Sequence, residues 1–281
     1  MQYFAAVGDA DDTPRDKPGI GKGVLQPQAR AGKFSVARFY PPDDLAPFIE
    51  HFWTVVWDLG DGAPHVQETL PYPAIHVAVE RGNSEIVGVI TGKFTRTIVG
   101  HGRVFAAKFK PAGFFPLWGH PLAGLTDRRV GLDELFDVDV GALEAEVFDH
   151  DDPKEMVAPL AEVFRARVPA VDDIAEELNE WVQRIESDRC LTSVAALAEI
   201  AGVSVRTLQR LFQRYVGVTP KWVIRRFRLQ EAAEALAGRA SLNLAALASE
   251  LGYADQAHFV RDFRALVGAT PAAYAKLARD A

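Results

Sequence analysis

The chain has 281 residues, of which 48% are hydrophobic, and it carries a formal net charge of -7 at pH 7. This length and apolar content predict two domains with hydrophobic cores. The single cysteine, Cys190, excludes an internal disulfide, and no apolar run is long enough to span a membrane. We expect a cytoplasmic protein, because the N-terminus also lacks the basic and apolar segments of a signal peptide.

Residues 1–32 are rich in Gly, Pro, Asp and Lys, which predicts an irregular N-terminal arm. The glycines of 19–23 are similar to those of a phosphate-binding loop. However, no strand precedes them, and the lysine and hydroxyl residue of such a loop are not in place. No nucleotide site is expected there.

Residues 33–140 contain seven short β-favouring runs separated by turn residues. These runs are FSVARFY, HFWTVVWDL, HVQETL, AIHVAVE, EIVGVITG, RTIVG and RVFAAKFK. In the fourth run, Ile75, Val77 and Val79 alternate with His76 and Ala78, which predicts one buried face. Short strands at this spacing are typical of a β-barrel or a two-sheet sandwich. We therefore expect a β-rich effector-sensing or dimerisation domain.

The predicted strands carry aromatic and polar side chains that would suit a small organic ligand. The candidate ligand-binding residues are Trp53, Trp57, Glu68, His76 and Lys108; Phe109 would line the same pocket, and Lys93 and Arg96 are further polar residues of the strands. For each of them the alternative is an ordinary core or solvent-facing position. His65, Glu68 and His76 are types that ligate metals, but no His-x-His pair or tight cluster is present. No metal or other cofactor is expected, and a metal-sensing regulator remains an alternative.

Residues 141–187 have helical spacing and predict a helical bridge. Its last segment places apolar residues on one stripe, namely Ile174, Leu178, Trp181 and Ile185.

Residues 188–281 contain one pattern twice, in 197–220 and 247–271. Gly202 and Gly252 lie 50 positions apart, and later equivalent residues lie 51 apart. Each copy predicts a short helix, a glycine turn and an amphipathic second helix, which is the pattern of a helix-turn-helix. The spacer between the copies predicts one helix from Pro220, capped by Thr219, to about residue 237.

Both second helices carry Arg and Gln on the face opposite their apolar stripe. Such residues on one helix usually only solvate it, but their repetition after two glycine turns favours reading of DNA bases. The charge distribution agrees, because residues 182–281 carry a net charge of +5 and residues 1–181 carry -12.

The region from about Leu191 to Leu277 resembles the DNA-binding domain of the AraC/XylS family of bacterial transcription regulators. The resemblance is carried by LAEIAGVSVRTLQRLF, GVTPKWVIRRFRLQEAAEAL and LAALASELGYADQAHFVRDFRALVGATPAAY. Tyr253 and Arg264 depart from the usual Phe and Lys. The resemblance implies binding to double-stranded DNA, a cupin-like effector domain upstream and a homodimer. By position in the motif, the groove-facing residues would be Arg206, Gln209, Arg210, Gln256, His258 and Arg261.

An enzyme is not expected, since no Gly-x-Ser-x-Gly or His-Glu-x-x-His motif is present. DNA-repair methyl-acceptor proteins share this helix-turn-helix, but they need several thiolates, and Cys190 alone is expected to be a buried packing residue. A pure protein-interaction module would leave the duplicated Arg/Gln faces without a role. The sequence thus predicts an α+β protein, with a β-barrel or sandwich, trailing helices and a tandem helix-turn-helix, that acts as a ligand-responsive transcription regulator.

Overall fold

The computed structural model describes residues 34–60, 62, 64–238 and 243–280. The predicted N-terminal arm lies outside the described residues. Eight strands occupy the first half of the described chain: β1 (Phe34–Phe39), β2 (Ile49–Asp58), β3 (His65–Thr69), β4 (His76–Val79), β5 (Glu85–Val87), β6 (Phe94–Ile98), β7 (His101–Phe109) and β8 (Arg129–Gly131).

The strands form two sheets. Six of them make an antiparallel sheet in the order β1-β2-β7-β4-β5-β8, and β3 pairs with β6 in a separate two-stranded ribbon. The β-rich N-terminal domain is therefore confirmed, with all seven predicted runs forming strands in order. Among the described residues the large sheet is open, because β1 and β8 lie at its two edges and do not pair with each other.

One face of the large sheet is covered by helices. Ile75, Val77 and Val79 are fully buried on this face, as their alternation predicted, and Phe52 and Phe109 lie there too. The ring of Phe109 lies 5.3 Å from that of Phe164, centroid to centroid, on a helix packed against the sheet. The apolar side chains at every second strand position thus form the face against which the helices pack.

Ten α-helices are described, besides two short 3-10 helices at Leu122–Leu125 and Leu132–Glu134: α1 (Phe115–Trp118), α2 (Val140–Phe148), α3 (Val157–Arg165), α4 (Asp173–Ser187), α5 (Val194–Ile200), α6 (Val205–Tyr215), α7 (Pro220–Gly238), α8 (Leu244–Glu250), α9 (Gln256–Val267) and α10 (Pro271–Asp280). The predicted stripe of α4 is rotated, because Ile174 is 42% exposed, whereas Ala175, Leu178, Val182 and Ile185 are buried. The helix therefore presents a mixed alanine and aliphatic face to the core. No helix in the described part of the chain is long and apolar enough to cross a membrane.

The described residues form two large hydrophobic cores of unequal size, and a small third cluster of Trp57, Leu59, Ile98 and Val104 joins the large sheet to the ribbon. One continuous core runs from the large sheet through α3 and α4 into α5, α6 and the first half of α7. A second core joins the later half of α7 to α8, α9 and α10, with Leu70 of the N-terminal region. The helix α7 thus belongs to both cores, and the first helix-turn-helix is packed directly against the sheet domain.

Candidate nucleic-acid interface

The first helix-turn-helix consists of α5, a glycine turn and α6. Gly202 adopts a φ of 65° at the end of α5, a conformation that favours glycine. Ser204 then caps α6, its hydroxyl accepting a hydrogen bond from the Thr207 backbone N–H at 3.1 Å. Leu208 and Phe212 are fully buried. The opposite face of α6 is exposed along its length, at Arg206, Gln209, Arg210, Gln213 and Arg214.

The second unit repeats this construction with α8 and α9. Gly252 has a φ of 77°, and a Cβ there would lie 2.7 Å from the Cβ of Thr192. Both the backbone conformation and the close approach of Thr192 therefore require glycine. Asp255 caps α9 by accepting from the His258 backbone N–H at 2.7 Å. Gln256 and Arg261 are exposed.

His258 differs from the other predicted base-reading residues, because it is only partly exposed. Its Nε2 lies 3.4 Å from Oδ2 of Asp262, and its ring meets that of Tyr253 edge-on at 5.1 Å. Asp262 also lies 3.3 Å from Nη1 of Arg225, on α7. Asp262 was not singled out from the sequence, although its position four residues after His258 on a helix is a signal that could have found it.

The connecting helix α7 matches the predicted spacer. Thr219 Oγ1 accepts from the Trp222 backbone N–H at 3.2 Å, and the helix runs for 19 residues from Pro220. At about 1.5 Å per residue this gives a length of about 28 Å. Of its arginines, Arg225 is exposed, but Arg226 and Arg228 are only 2% and 1% exposed. The sequence alone leaves contacts with DNA phosphates and structural roles open for these three arginines. Burial keeps Arg226 and Arg228 from DNA phosphates and gives them structural roles.

Comparisons with known proteins agree with this geometry. The family described as "Helix-turn-helix domain" matches residues 197–277, which run from within α5 through the second unit. The C-terminal region is an AraC-type helix-turn-helix domain. The family described as "Domain of unknown function (DUF6597)" matches residues 37–131.

Two curated relatives are named as HTH-type transcription regulators. The chain is 25% identical over 159 residues to the RCS-specific HTH-type transcriptional activator RclR of Escherichia coli, covering 45% of this chain and 56% of the relative. It is 34% identical over 83 residues to an uncharacterized HTH-type transcriptional regulator of Haemophilus influenzae, covering 30% and 28%. The chain thus spans about half or less of these relatives.

A solved structure of a transcriptional regulator with an AraC-type DNA-binding domain, from Chromobacterium violaceum, is 27% identical. It matches 37% of this chain and 92% of its own, with a TM-score of 0.33, which says nothing about the arrangement of the whole chain.

The AraC-type domain is joined to the sheet domain by specific contacts. The Thr126 hydroxyl donates to the Gly217 carbonyl at 2.6 Å, and the rings of Phe115 and Tyr215 lie 4.0 Å apart. The Trp222 indole N–H donates to the Thr91 carbonyl at 3.2 Å. The end of α6 and the start of α7 are therefore both fixed against the N-terminal region.

A stack of charged and aromatic side chains continues this junction. The ring of Tyr72 lies between two cations, with Lys108 Nζ at 3.5 Å and Arg226 Cζ at 5.3 Å from its centroid. The Tyr72 hydroxyl donates to Glu186 at 2.7 Å, and Lys108 pairs with Glu50 at 2.8 Å. Burial lowers the pKa of Lys108, although Glu50 opposes this, and burial also raises the pKa of Tyr72. Tyr72 and Glu50 had no sequence signal, because their partners are distant in the chain.

Four of the five predicted ligand-binding residues share the sheet face that points away from the helical layer. Paired residues of neighbouring antiparallel strands point the same way, so Trp53 lies with its partner Ala106, and His76 with its partner Lys108. Trp57, four positions after Trp53 in β2, shares their face and donates to the Val99 carbonyl at 3.2 Å.

The structure does not bring Glu68 to this face. Arg96 of the ribbon faces the sheet, with its guanidinium 5.7 Å from the Trp57 ring, and Gln67 is its paired residue. Glu68 is the next residue and points to the other side, where it pairs with Lys93. Phe109 also lies apart from this face, within the helical layer.

His76 is strongly perturbed by its position on the sheet face. Its Nδ1 accepts from the Trp53 indole N–H at 3.3 Å. Burial, assisted by the charge of Lys108, lowers the pKa of His76 to about 3, so its imidazole is neutral at pH 7. A neutral ring that accepts at Nδ1 carries its proton on Nε2, which makes Nε2 a donor.

One further sequence expectation, for Cys190, has a structural outcome. Cys190 is exposed, so the expectation of a buried packing residue was wrong. Within the described residues, no group of three or more His, Cys, Asp or Glu side chains could hold a metal ion.

Proposed function

We propose that this protein is a sequence-specific DNA-binding transcription regulator that uses both helix-turn-helix units. The observation that carries the proposal is the pair of helices α6 and α9, each anchored by a capped start and a buried aromatic stripe. Each exposes arginine and glutamine from the side opposite its core. These side chains form bidentate hydrogen bonds with guanine and adenine in the major groove.

The proposed base-reading residues are Arg206, Gln209, Arg210, Gln256, His258 and Arg261. The length of α7, about 28 Å, is close to the ~34 Å that separates successive major grooves on one side of B-DNA. We therefore expect one chain to read two half-sites about one helical turn apart. Arg225 is the α7 arginine that remains exposed for a phosphate contact.

Selection of bound duplexes from a random library tests this proposal with the full-length chain. We expect enrichment of two short elements about 10 base pairs apart. The selected duplex should then bind with an affinity that falls steeply with salt, as measured by fluorescence anisotropy. The function would be refuted if the selection enriched no sequence, or if binding did not depend on salt.

We further propose that the N-terminal domain responds to a small organic molecule at the sheet face of Trp53, Trp57, His76 and Lys108. This is supported by the neutral His76, which offers a donor at Nε2, and by the small paired residues Ala78 and Ala106 between the aromatic side chains. Glu68 lies outside this proposed pocket. Quenching of tryptophan fluorescence in a metabolite screen, compared with Trp53→Phe, measures such binding. A screen in which no quenching signal depends on Trp53 would contradict this site.

We also propose that the regulator acts as a homodimer. Light scattering coupled to gel filtration measures its mass, and a monomer at micromolar concentration, alone and with operator, would contradict this.

A further inference from the structure

A small cleft lies where the N-terminal region meets the AraC-type domain. Its volume is about 60 Å³. It is bordered by Thr91 from the segment after β5, by Trp222, Arg225 and Arg226 of α7, and by Asp262 and Ala265 of α9. The cleft is separate from the sheet face proposed for the effector, since Tyr72 stands between Arg226 and Lys108.

Arg226 is the most deeply buried cation of this cleft. It is 2% exposed, its Nε donates to the Pro71 carbonyl at 2.6 Å, and its guanidinium lies against the rings of Tyr72 and Phe227. Its Nη1 is buried and has no hydrogen-bond partner among the described residues. Burial lowers the pKa of Arg226 to about 10, so the side chain is still a cation at neutral pH.

This arrangement is costly without a further partner. A buried donor left unsatisfied costs about 1–3 kcal/mol, and more when it is charged. The neighbouring Arg225 shares its charge with Asp262 at 3.3 Å, so the cleft has two guanidinium groups and one carboxylate. The walls beside them are the Trp222 ring and the exposed Ala265 methyl group. Arginine is the side chain best suited to planar recognition of oxyanions.

We propose that this cleft binds an oxyanion, the carboxylate or phosphate group of a small molecule, through Arg226 and Arg225. The size of the cleft suits such a group, with the remainder of the ligand directed outward past Ala265. The anion accepts from the unsatisfied Nη1 of Arg226 and competes with Asp262 for Arg225.

The competition for Arg225 links the cleft to the recognition helix. Asp262 lies 3.3 Å from Arg225 on one side and 3.4 Å from the His258 imidazole on the other. When the anion draws Arg225 away, Asp262 keeps His258 and presents an uncompensated negative charge on the helix that faces the DNA phosphates. The anion therefore lowers the affinity for the operator. This second step rests on the proposed DNA-binding function, whereas anion binding itself does not.

Isothermal titration calorimetry of the full-length chain with inorganic phosphate and with acetate tests the site. We expect saturable binding of at least one anion with a Kd in the millimolar range or tighter. Two variants should abolish it by different routes. Arg226→Met removes the guanidinium and keeps an unbranched apolar chain, and Ala265→Glu supplies a tethered carboxylate to the cleft. Ala257→Glu, at an exposed position of the same helix outside the cleft, should bind like the parent.

The Ala265→Glu variant keeps the test decisive if Arg226→Met fails to fold. Satisfying the buried guanidinium from within the chain should also raise the melting temperature of Ala265→Glu. The proposal would be overturned if the parent binds neither phosphate nor acetate, or if Ala265→Glu binds the anion as well as the parent does.

Operator binding measured at constant ionic strength separates this inference from the function. Saturating anion should lower operator affinity about fivefold or more, and Ala265→Glu should no longer respond. Anion binding that requires Arg226 without any DNA binding would refute only the function. DNA binding in a protein that binds neither anion would refute only the site.

Discussion

The neutral state of His76 predicts how stability depends on pH. In the unfolded chain a histidine has a pKa of about 6.5, whereas burial beside Lys108 lowers the pKa of His76 in the folded protein to about 3. Below pH 6.5 the unfolded state therefore binds a proton that the folded state does not. Lowering the pH from about 7.5 to about 5.5 should reduce the free energy of unfolding by about 1.4 kcal/mol through this residue alone.

Urea denaturation at both pH values, on the parent protein and on His76→Gln, measures this contribution. The glutamine is neutral at both values, and its amide oxygen can still accept from the Trp53 indole N–H. Its pH dependence should therefore be smaller than that of the parent by about 1.4 kcal/mol. His101→Gln, at an exposed position of β7, controls for the loss of a histidine. Equal pH dependence in the parent and in His76→Gln would show that His76 is not held neutral by burial.

Other substitutions examine the interface, the second core and the junction. Arg210→Ala should weaken operator binding by about 1–3 kcal/mol and relax preference at one base pair, while Arg189→Ala, exposed outside both units, should do neither; equal losses on operator and random duplexes would reassign Arg210 to the backbone. Phe263 is fully buried on the core face of α9, so Phe263→Ala should cost about 3–5 kcal/mol in urea denaturation, and a cost below about 1 kcal/mol would contradict this packing. Thr126→Val removes the hydrogen bond to the Gly217 carbonyl, and thermal melts should show a loss of about 1 kcal/mol; an unchanged melting temperature would mean that this contact does not hold α6.

The repeated helix-turn-helix was predictable because its determinants are local. Gly202 and Gly252 end their helices in the left-handed conformation, and Ser204 and Asp255 begin the next ones. Seven of the eight strands were also predictable, since each lies in a β-favouring run. Strands β5 and β8 both have three residues, but β5 lies within the longer run EIVGVITG, whereas β8 lies in no such run and was missed.

The position of Phe109 could have been predicted correctly. Lys108 and Phe109 are consecutive in β7, so they must point to opposite faces of the sheet. A pocket containing both was therefore inconsistent with the strand period, and the structure places Phe109 among the helices.

The burial of Arg226 and Arg228 could not be predicted from the sequence. Three arginines within four residues usually indicate a solvated or phosphate-binding face. In the structure, α7 is enclosed from several sides by α4, the sheet domain and the second core, so even its arginines are buried. Their partners, Pro71 and Ile185, are 155 and 43 residues away, and no local pattern reports such distances.

The unequal size of the two large cores has a consequence for the DNA operators that this protein binds. The first unit shares its interior with the sheet, so its recognition helix cannot turn without disturbing the whole N-terminal half. The second unit packs in a smaller core with the later half of α7, to which Leu70 is the one buried residue contributed by the described N-terminal region. Small pivoting there would let α9 follow differences in DNA twist, while α6 stays in a fixed frame. Operators should therefore vary more in sequence and spacing at the half-site read by α9 than at the half-site read by α6.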